Sequence, residues 1–457
     1  MKLKKQTPAL SVFVFSLIFG AAAQPISVPA AEVYFERSDL LPLVYVTVAF
    51  RGGSSQDPSG KSGVSDIAAK LLLRGTKQKT KQQINLALDQ MGANLAVETR
   101  AEFSALRGNV LAENLPAFLK LLEEVIAQPS FSASEFEKLK REQISSVSDD
   151  LSSDRNLVRL RFNQLFFGQH PYSRPSPGRL KDLQALTLQD VKAHYTRMVH
   201  PDRMLVLGTG DAQSDALESF DRSIRRYPWP ETKIQPVPAF EGSPKTLKVV
   251  LIDKPERTQT HILIGQSGIP FNSPDLDALQ IANFAFGGGS FQSRLLVELR
   301  VKRGWTYGAG SGFKFGSQPH SWTMMFFPKN GDTPPGVVEA LKLIREFKEQ
   351  GITAAEFDFA KQSMMNSAGF NFDTPAKRME NTLNERLFGL PTGYYRDFAK
   401  RLSGITLDQV NQAVKNFIQP DRMLVAIVAT SSISKEPIAT ALKMPSSSIE
   451  VVDFKKE

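Results

Sequence analysis

The apolar positions of this chain fall into short runs and helical stripes, in an order that defines a domain plan. Leu43 to Phe50 is a β-branched, apolar run and reads as a strand. Gly63 to Leu73 and Lys81 to Met91 read as helices, and Asn94 to Thr99 and Phe103 to Leu111 as two strands. Leu115 to Ala127 carries helical periodicity. So does the stretch from Ala133 to Phe166, with a break near Ser152. Thr187 to Met198 predicts a helix and Arg203 to Gly208 the closing strand. A second half follows the same order, from Lys248–Ile252 to Leu424–Val428. The β-α-α-β-β-α-α-α-β plan predicts an α+β fold: in each half, an antiparallel-rich sheet with helices on one face.

The second half is a copy of the first. Leu186-Thr187-Leu188-Gln189-Asp190-Val191, ending in His200-Pro201-Asp202-Arg203-Met204-Leu205-Val206, returns 219 residues later. The copy is Ile405-Thr406-Leu407-Asp408-Gln409-Val410, ending in Gln419-Pro420-Asp421-Arg422-Met423-Leu424-Val425. Glu135-Phe136 and Phe167-Gly168 return as Glu356-Phe357 and Phe388-Gly389, at an offset of 221. A period this long means duplication of a whole domain, not a solenoid. Pro228, Pro230, Pro236, Pro238 and Pro244 mark the joint, since proline at this density keeps the backbone extended and solvated. The sequence thus divides into a first domain at 24–228, a linker at 229–246 and a second domain at 247–457.

Composition narrows the setting. Of the 457 residues, 41% are hydrophobic and 23% charged, ordinary for a globular protein. Residues 1–23 form a secretory signal: Lys2, Lys4 and Lys5, an apolar run from Ala9 to Gly20, then Ala21-Ala22-Ala23 as a cleavage site before Gln24. No later stretch is long and apolar enough to span a bilayer. Removing the three lysines takes the net charge from +9 to +6. The remaining basic residues are scattered, with no stripe interleaved with aromatics, so no nucleic-acid partner is expected. There is no cysteine, hence neither a disulfide nor a lipidation site, and a periplasmic location is expected. None of the five histidines pairs with another at a metal-ligand spacing on one helix.

Two motifs carry a family resemblance. Residues 60–76 read Gly-Lys-Ser-Gly-Val-Ser-Asp-Ile-Ala-Ala-Lys-Leu-Leu-Leu-Arg-Gly-Thr. Residues 287–295, Gly-Gly-Gly-Ser-Phe-Gln-Ser-Arg-Leu, precede Glu298-Leu299-Arg300 and Gly304-Trp305-Thr306-Tyr307. Together with the duplication, these resemble the inverzincin peptidases, the group of pitrilysin, insulin-degrading enzyme and mitochondrial processing peptidase. In that family the first segment is the zinc helix H-x-x-E-H. Here Asp66, Ala69 and Lys70 stand in the three positions. An ammonium has no lone pair for a metal, and a methyl group is no base. The resemblance places a third ligand, a glutamate, about 77 residues beyond the second histidine. That falls near Val147, in a stretch without acid between Glu142 and Asp149.

The resemblance implies two halves facing each other across a cavity. It further implies that Arg300 and Tyr307 reach a peptide bound at a zinc, with Gly287, Gly288, Gly289 and Ser290 forming a substrate-binding turn. Arg300 is expected near a helix end and Tyr307 on the strand after Gly304. A guanidinium offers several donors to a peptide carbonyl or carboxylate, and a phenol offers one to an oxyanion. Asp66 and Lys70, four apart, share a helix face and are expected to pair. No metal is expected in this chain. The expected role is a zinc-less, substrate-binding subunit of a heteromeric periplasmic peptidase whose homologous partner holds the zinc. The alternative is a pseudo-peptidase that binds peptides or acts as a scaffold without a catalytic partner.

Overall fold

A computed structural model describes residues 32–240, 242, 244–289 and 291–456. The expected signal segment, 1–23, and Ser290 lie outside the described residues. Eleven strands form two sheets among the described residues. The first joins β1 (Glu32–Arg37), β2 (Leu43–Arg51), β3 (Asn94–Thr99), β4 (Phe103–Leu111) and β5 (Met204–Gly210) in the order β1-β5-β2-β4-β3. The second joins β6 (Lys248–Asp253), β7 (His261–Ser267), β8 (Ala309–Lys314), β9 (Ser321–Phe326), β10 (Leu424–Ala429) and β11 (Glu450–Asp453) in the order β11-β6-β10-β7-β9-β8. Without β11 the two orders are the same, so the duplication extends to topology. In each sheet the first strand of the repeat lies parallel to the last, β11 also lies parallel to β6, and the remaining pairings are antiparallel.

The repeated sequence segments have a local cause. Thr187 with Asp190 and Thr406 with Gln409 form capping boxes at matched helix starts. Pro201–Arg203 and Pro420–Arg422 each make a short 3-10 turn into β5 and β10. The helical break expected near Ser152 falls at Ser153. This residue leaves helical geometry between α4 (Ala133–Ser152) and α5 (Asp154–Phe167), with its hydroxyl accepting from the Asn156 amide. The other helices used below are α1 (Val64–Leu72), α2 (Lys81–Gln90) and α3 (Leu115–Ala127).

Each sheet carries helices of its own half on one face, as expected, and its other face is covered by a helix from the opposite half. On the first sheet Val44, Val46, Val48 and Phe50 meet the helices of their own half. Ala49, Leu205 and Leu207, on the opposite face, pack under Leu383 and Leu387 of the second half's helix Pro375–Phe388. Reciprocally, α5 lays Leu157, Val158 and Phe162 over Val250, Leu263 and Ala426 of the second sheet. This explains why β2 is apolar at nearly every position: both faces are buried. The described residues of 226–247 form neither helix nor strand, and Phe240 packs against Phe166 and Phe167 instead of running free in solvent. Ion pairs Arg107–Glu380 and Arg378–Glu36 also join the halves.

Candidate functional site

The degenerate helix α1 is held from its start. The carboxylate of Asp57 accepts from the Gly63 and Ser65 amides, satisfying donors that a helix N-terminus leaves unpaired. Val64, Ile67, Ala68, Leu71 and Leu72 bury one face of α1 in the first core. This turns Asp66 and Lys70 toward α4, where three side chains close a ring. Lys70 Nζ lies 2.6 Å from Asp66 Oδ2 and donates to Gln143 Oε1 at 2.8 Å. Gln143 Nε2 donates to Asp66 Oδ2 at 2.7 Å and to the Pro177 carbonyl at 2.8 Å. The expected Asp66–Lys70 pair is present.

The third corner is Gln143, not a residue near Val147. Val147 faces the core, one helical turn further along α4. Gln143 is 77 residues after Asp66 and 73 after Lys70, four short of the spacing the resemblance implies. The resemblance implies an acid there; glutamine has the shape of glutamate without its charge. The ring offers a zinc ion one carboxylate, one amide and an ammonium, a set that does not fit the metal. Among the described residues no group of three or more histidine, cysteine, aspartate or glutamate side chains is placed to hold a metal.

Beside α1 runs a directed hydrogen-bond chain that sequence reasoning missed. Arg197 Nη2 meets His194 Nδ1 at 3.0 Å. Arginine only donates, so the imidazole proton sits on Nε2 and goes to Ser65 Oγ at 2.8 Å. Ser65 Oγ in turn donates to Asp57 Oδ1 at 2.5 Å. Burial raises the Asp57 pKa to about 7 despite these donors, and burial with Arg197 and Arg203 lowers that of His194 to about 3. Ser, His and Asp are therefore adjacent without forming a nucleophilic triad. The histidine donates to the serine where a general base would accept. Ser65 and Asp57 lie within or beside the zinc-helix frame, but nothing in their spacing signals His194, 129 residues on.

The second motif folds as a turn, a short helix and a loop. Gly287 and Gly288 are held by close packing. A Cβ on Gly287 would lie 2.5 Å from Leu295, and one on Gly288 would lie 2.7 Å from Asn283, whereas Gly289 faces open space. Arg294 is bound to Glu356 through two nitrogens and to the Gly351 carbonyl. Arg300 lies in the widened turn Val297–Lys302, near the helix end as expected. Gly304, at φ 67°, ends that helix. Tyr307 is not on a strand. The buried Thr306 hydroxyl, bonded to the Gly308 and Phe327 amides, pins the loop two residues before β8 and throws Tyr307 outward, 85% exposed. The Arg300 guanidinium lies 5.6 Å from the Phe291 ring centre, and Phe291 and Val301 are 77% and 69% exposed. Arg300 has no ion-pair partner among the described residues. Two pockets formed among the described residues each lie within a single half, one between Lys61, His194 and Arg197, the other between Asn330 and Ile438.

Residues 33–176 match the model of insulinase (peptidase family M16), and residues 185–364 match that of the peptidase M16 inactive domain. The chain belongs to the M16, or inverzincin, peptidase family. It is 25% identical to the non-peptidase homolog YmxG of Helicobacter pylori, over 94% of this chain and 99% of that protein. An uncharacterized zinc protease of Mycobacterium tuberculosis is 23% identical over 83% of this chain and 88% of its own length. The crystal structure of a peptidase M16 inactive domain from Pseudomonas fluorescens aligns with a TM-score of 0.81 at 25% identity, covering 87% of this chain and 95% of that one. This M16 member, with Asp66, Ala69, Lys70 and Gln143 in place of a metal set, is a non-catalytic homologue. Among the described residues no helix is long and apolar enough to cross a membrane.

Proposed function

We propose that this M16 homologue is the substrate-binding subunit of a heteromeric zinc peptidase located in the periplasm. A homologous partner holds the zinc, and this chain supplies Arg300 and Tyr307. The observation that carries the reading is the pairing of a filled metal position with an outward Arg and Tyr. Asp66, Lys70 and Gln143 satisfy one another, whereas the Arg300 guanidinium and the Tyr307 hydroxyl are left for another molecule. Phe291 and Val301 give the same surface an apolar component, as a peptide-binding face requires. In this arrangement Arg300 orients a peptide carbonyl or carboxylate, and Tyr307 donates to the oxyanion that forms beside the partner's metal. Gly287, Gly288, Gly289 and Ser290 border the bound peptide. The N-terminal segment directs export.

The experiment is a peptide-cleavage assay on the purified chain, on a zinc-bearing M16 chain encoded with it, and on their mixture, each with and without chelator. Chelator-sensitive cleavage enhanced by the mixture is the expected result. Cleavage by the zinc-bearing chain alone at the same rate as the mixture refutes the subunit reading. Peptide binding without any effect on cleavage returns the alternative, a peptide-binding pseudo-peptidase.

A further inference from the structure

The pocket of the first half that contains Lys61, His194 and Arg197 has no part in the role given to the Arg300 surface. It encloses about 510 Å³ between the start of α1 and the helix Leu188–Met198, within the roughly 300–1,000 Å³ of small-molecule sites. Pro58, Val64 and Ala193 give it apolar walls. Ala193 and Arg197 are exposed, so the pocket opens on their side, whereas His194 is buried.

Most of the polar groups here are already engaged. Lys61 is ion-paired with Asp190, whose other oxygen accepts from the amide and the hydroxyl of Thr187. Arg197 donates to His194 Nδ1, and its guanidinium makes no ion pair and no other hydrogen bond among the described residues. His194 is neutral, since its Nδ1 accepts the arginine proton. The lining of the pocket therefore carries one uncompensated positive charge, on Arg197. The start of α1 adds nothing to it. Its Gly63 and Ser65 amides already donate to Asp57, and its Val64 amide to the Lys61 carbonyl.

The arginine also has a pair of donors to spare. Nη2 carries two hydrogens, one on each of the two edges at which a guanidinium can meet a carboxylate in parallel bonds. The bond to His194 uses one of them, so one complete edge remains. His194 is itself held by Ser65, so the guanidinium is oriented before any ligand arrives, and less conformational freedom is lost on binding.

We propose that this pocket binds a small monocarboxylic acid with an apolar body, its carboxylate held by the remaining edge of Arg197 and its apolar part against Pro58, Val64 and Ala193. One uncompensated cation matches one negative charge. A phosphate dianion would leave a charge unmet, and a neutral ligand would leave the arginine unmet.

The test is an NMR titration of the purified chain with benzoate as the probe. No zinc-bearing chain is present, so the outcome does not depend on the role given to Arg300 and Tyr307. Benzoate is expected to bind. Benzamide, of the same shape without the charge, should bind at least about tenfold more weakly, and benzylammonium not at all. Arg197→Lys keeps the charge but loses the paired donors and should weaken benzoate about tenfold. Ala193→Phe fills the pocket from an exposed position, leaves Arg197 and His194 in place, and should abolish binding with an unchanged thermal melt. Absence of benzoate binding, or equal affinity for benzamide, overturns the site. Unchanged affinity in Ala193→Phe puts benzoate elsewhere and overturns the pocket, and full affinity in Arg197→Lys overturns the bidentate contact. Displacement by inorganic phosphate at the concentrations at which benzoate itself competes overturns the monocarboxylate assignment. Binding of N-acetyl-alanyl-phenylalanine about a hundredfold tighter than benzoate makes the pocket a site for a peptide C-terminus and overturns the small-acid assignment.

Discussion

If Gln143 is the third corner of the former metal site, zinc binding should be recoverable with three substitutions. The corners of the present ring are 2.6, 2.7 and 2.8 Å apart. Zinc holds nitrogen and oxygen ligands at about 2.0–2.2 Å, which in tetrahedral geometry sets them about 3.4 Å apart. Each edge must then open by about 0.7 Å, within the reach of side-chain rotation and without moving α1 from α4. Asp66→His/Lys70→His/Gln143→Glu supplies two imidazoles and a carboxylate with a fourth position open. We expect this triple variant to hold about one zinc per chain after dialysis. At a free zinc concentration 100-fold above Kd, the metal should stabilise it by about 2.7 kcal/mol, a shift reversed by chelator. The variant with both histidines but Val147→Glu should gain no such shift, because Val147 points into the core, and burying a carboxylate there is itself destabilising. Metal content by atomic emission and melting curves with and without chelator decide the matter. A folded triple variant that takes up no zinc, or a Val147→Glu variant that binds it equally well, refutes the assignment of Gln143.

Three further outcomes are expected. Lys70→Ala leaves the buried Asp66 carboxylate without its cation and should cost roughly 1–3 kcal/mol in urea denaturation, with Asp66→Asn in the same chain recovering part of the loss. In the reconstituted peptidase, Tyr307→Phe should lower turnover by about 10²- to 10³-fold with little change in KM, and Arg300→Ala should raise KM as well; both residues are exposed, so each melt should stay within about 0.5 kcal/mol of the parent. The third concerns pH. Asp57, with its folded pKa raised to about 7, loses stability as pH rises from about 4 to about 7, whereas His194, lowered to about 3, loses stability as pH falls from about 6.5 to about 3. The slopes oppose each other between about pH 4 and 6.5. His194→Gln should unmask the aspartate and make the protein more stable at pH 4.5 than at 6.5, by up to about 1.4 kcal/mol per pH unit, and a flat profile in that variant would count against the buried-aspartate account.

Local patterns announced most of the architecture and little of the joinery. Strands β2 to β6 and β10 and the helices α1 to α5 are legible because each has its own periodicity, whereas β7 to β9 follow only from the repeat. β1 and β11 were not legible: each is a short strand with charged or exposed positions, and it exists because a parallel neighbour supplies its hydrogen bonds. The crossing of α5 and of helix Pro375–Phe388 onto the opposite sheet was hidden for a related reason. Their apolar residues look like any helix stripe, and no local signal tells which half they cover. At the site, Asp66–Lys70 was readable from a four-residue spacing. Gln143 was not, because the search was for an acid. Arg300 and Tyr307 were found as a motif, but the outward aim of Tyr307 depends on Thr306, whose hydroxyl bonds are set by the fold.

The three side chains of the ring depend on one another. A carboxylate at 66 alone would be a buried charge without a partner, a lysine at 70 alone would face a position built for a ligand, and an amide at 143 alone would leave buried polar atoms unmet. Together, the ammonium satisfies the carboxylate, and the amide accepts from one and donates to the other. The three substitutions are therefore mutually dependent, and returning any one of them separately should be worse than returning all three. The ring keeps α1 fixed against α4 and keeps Pro177 tied to Gln143, so these elements are held together by the chain's own side chains. A half whose α1 and α4 are locked by their own side chains suits a binding subunit, and it is why we place the proposed function of this chain in its surfaces.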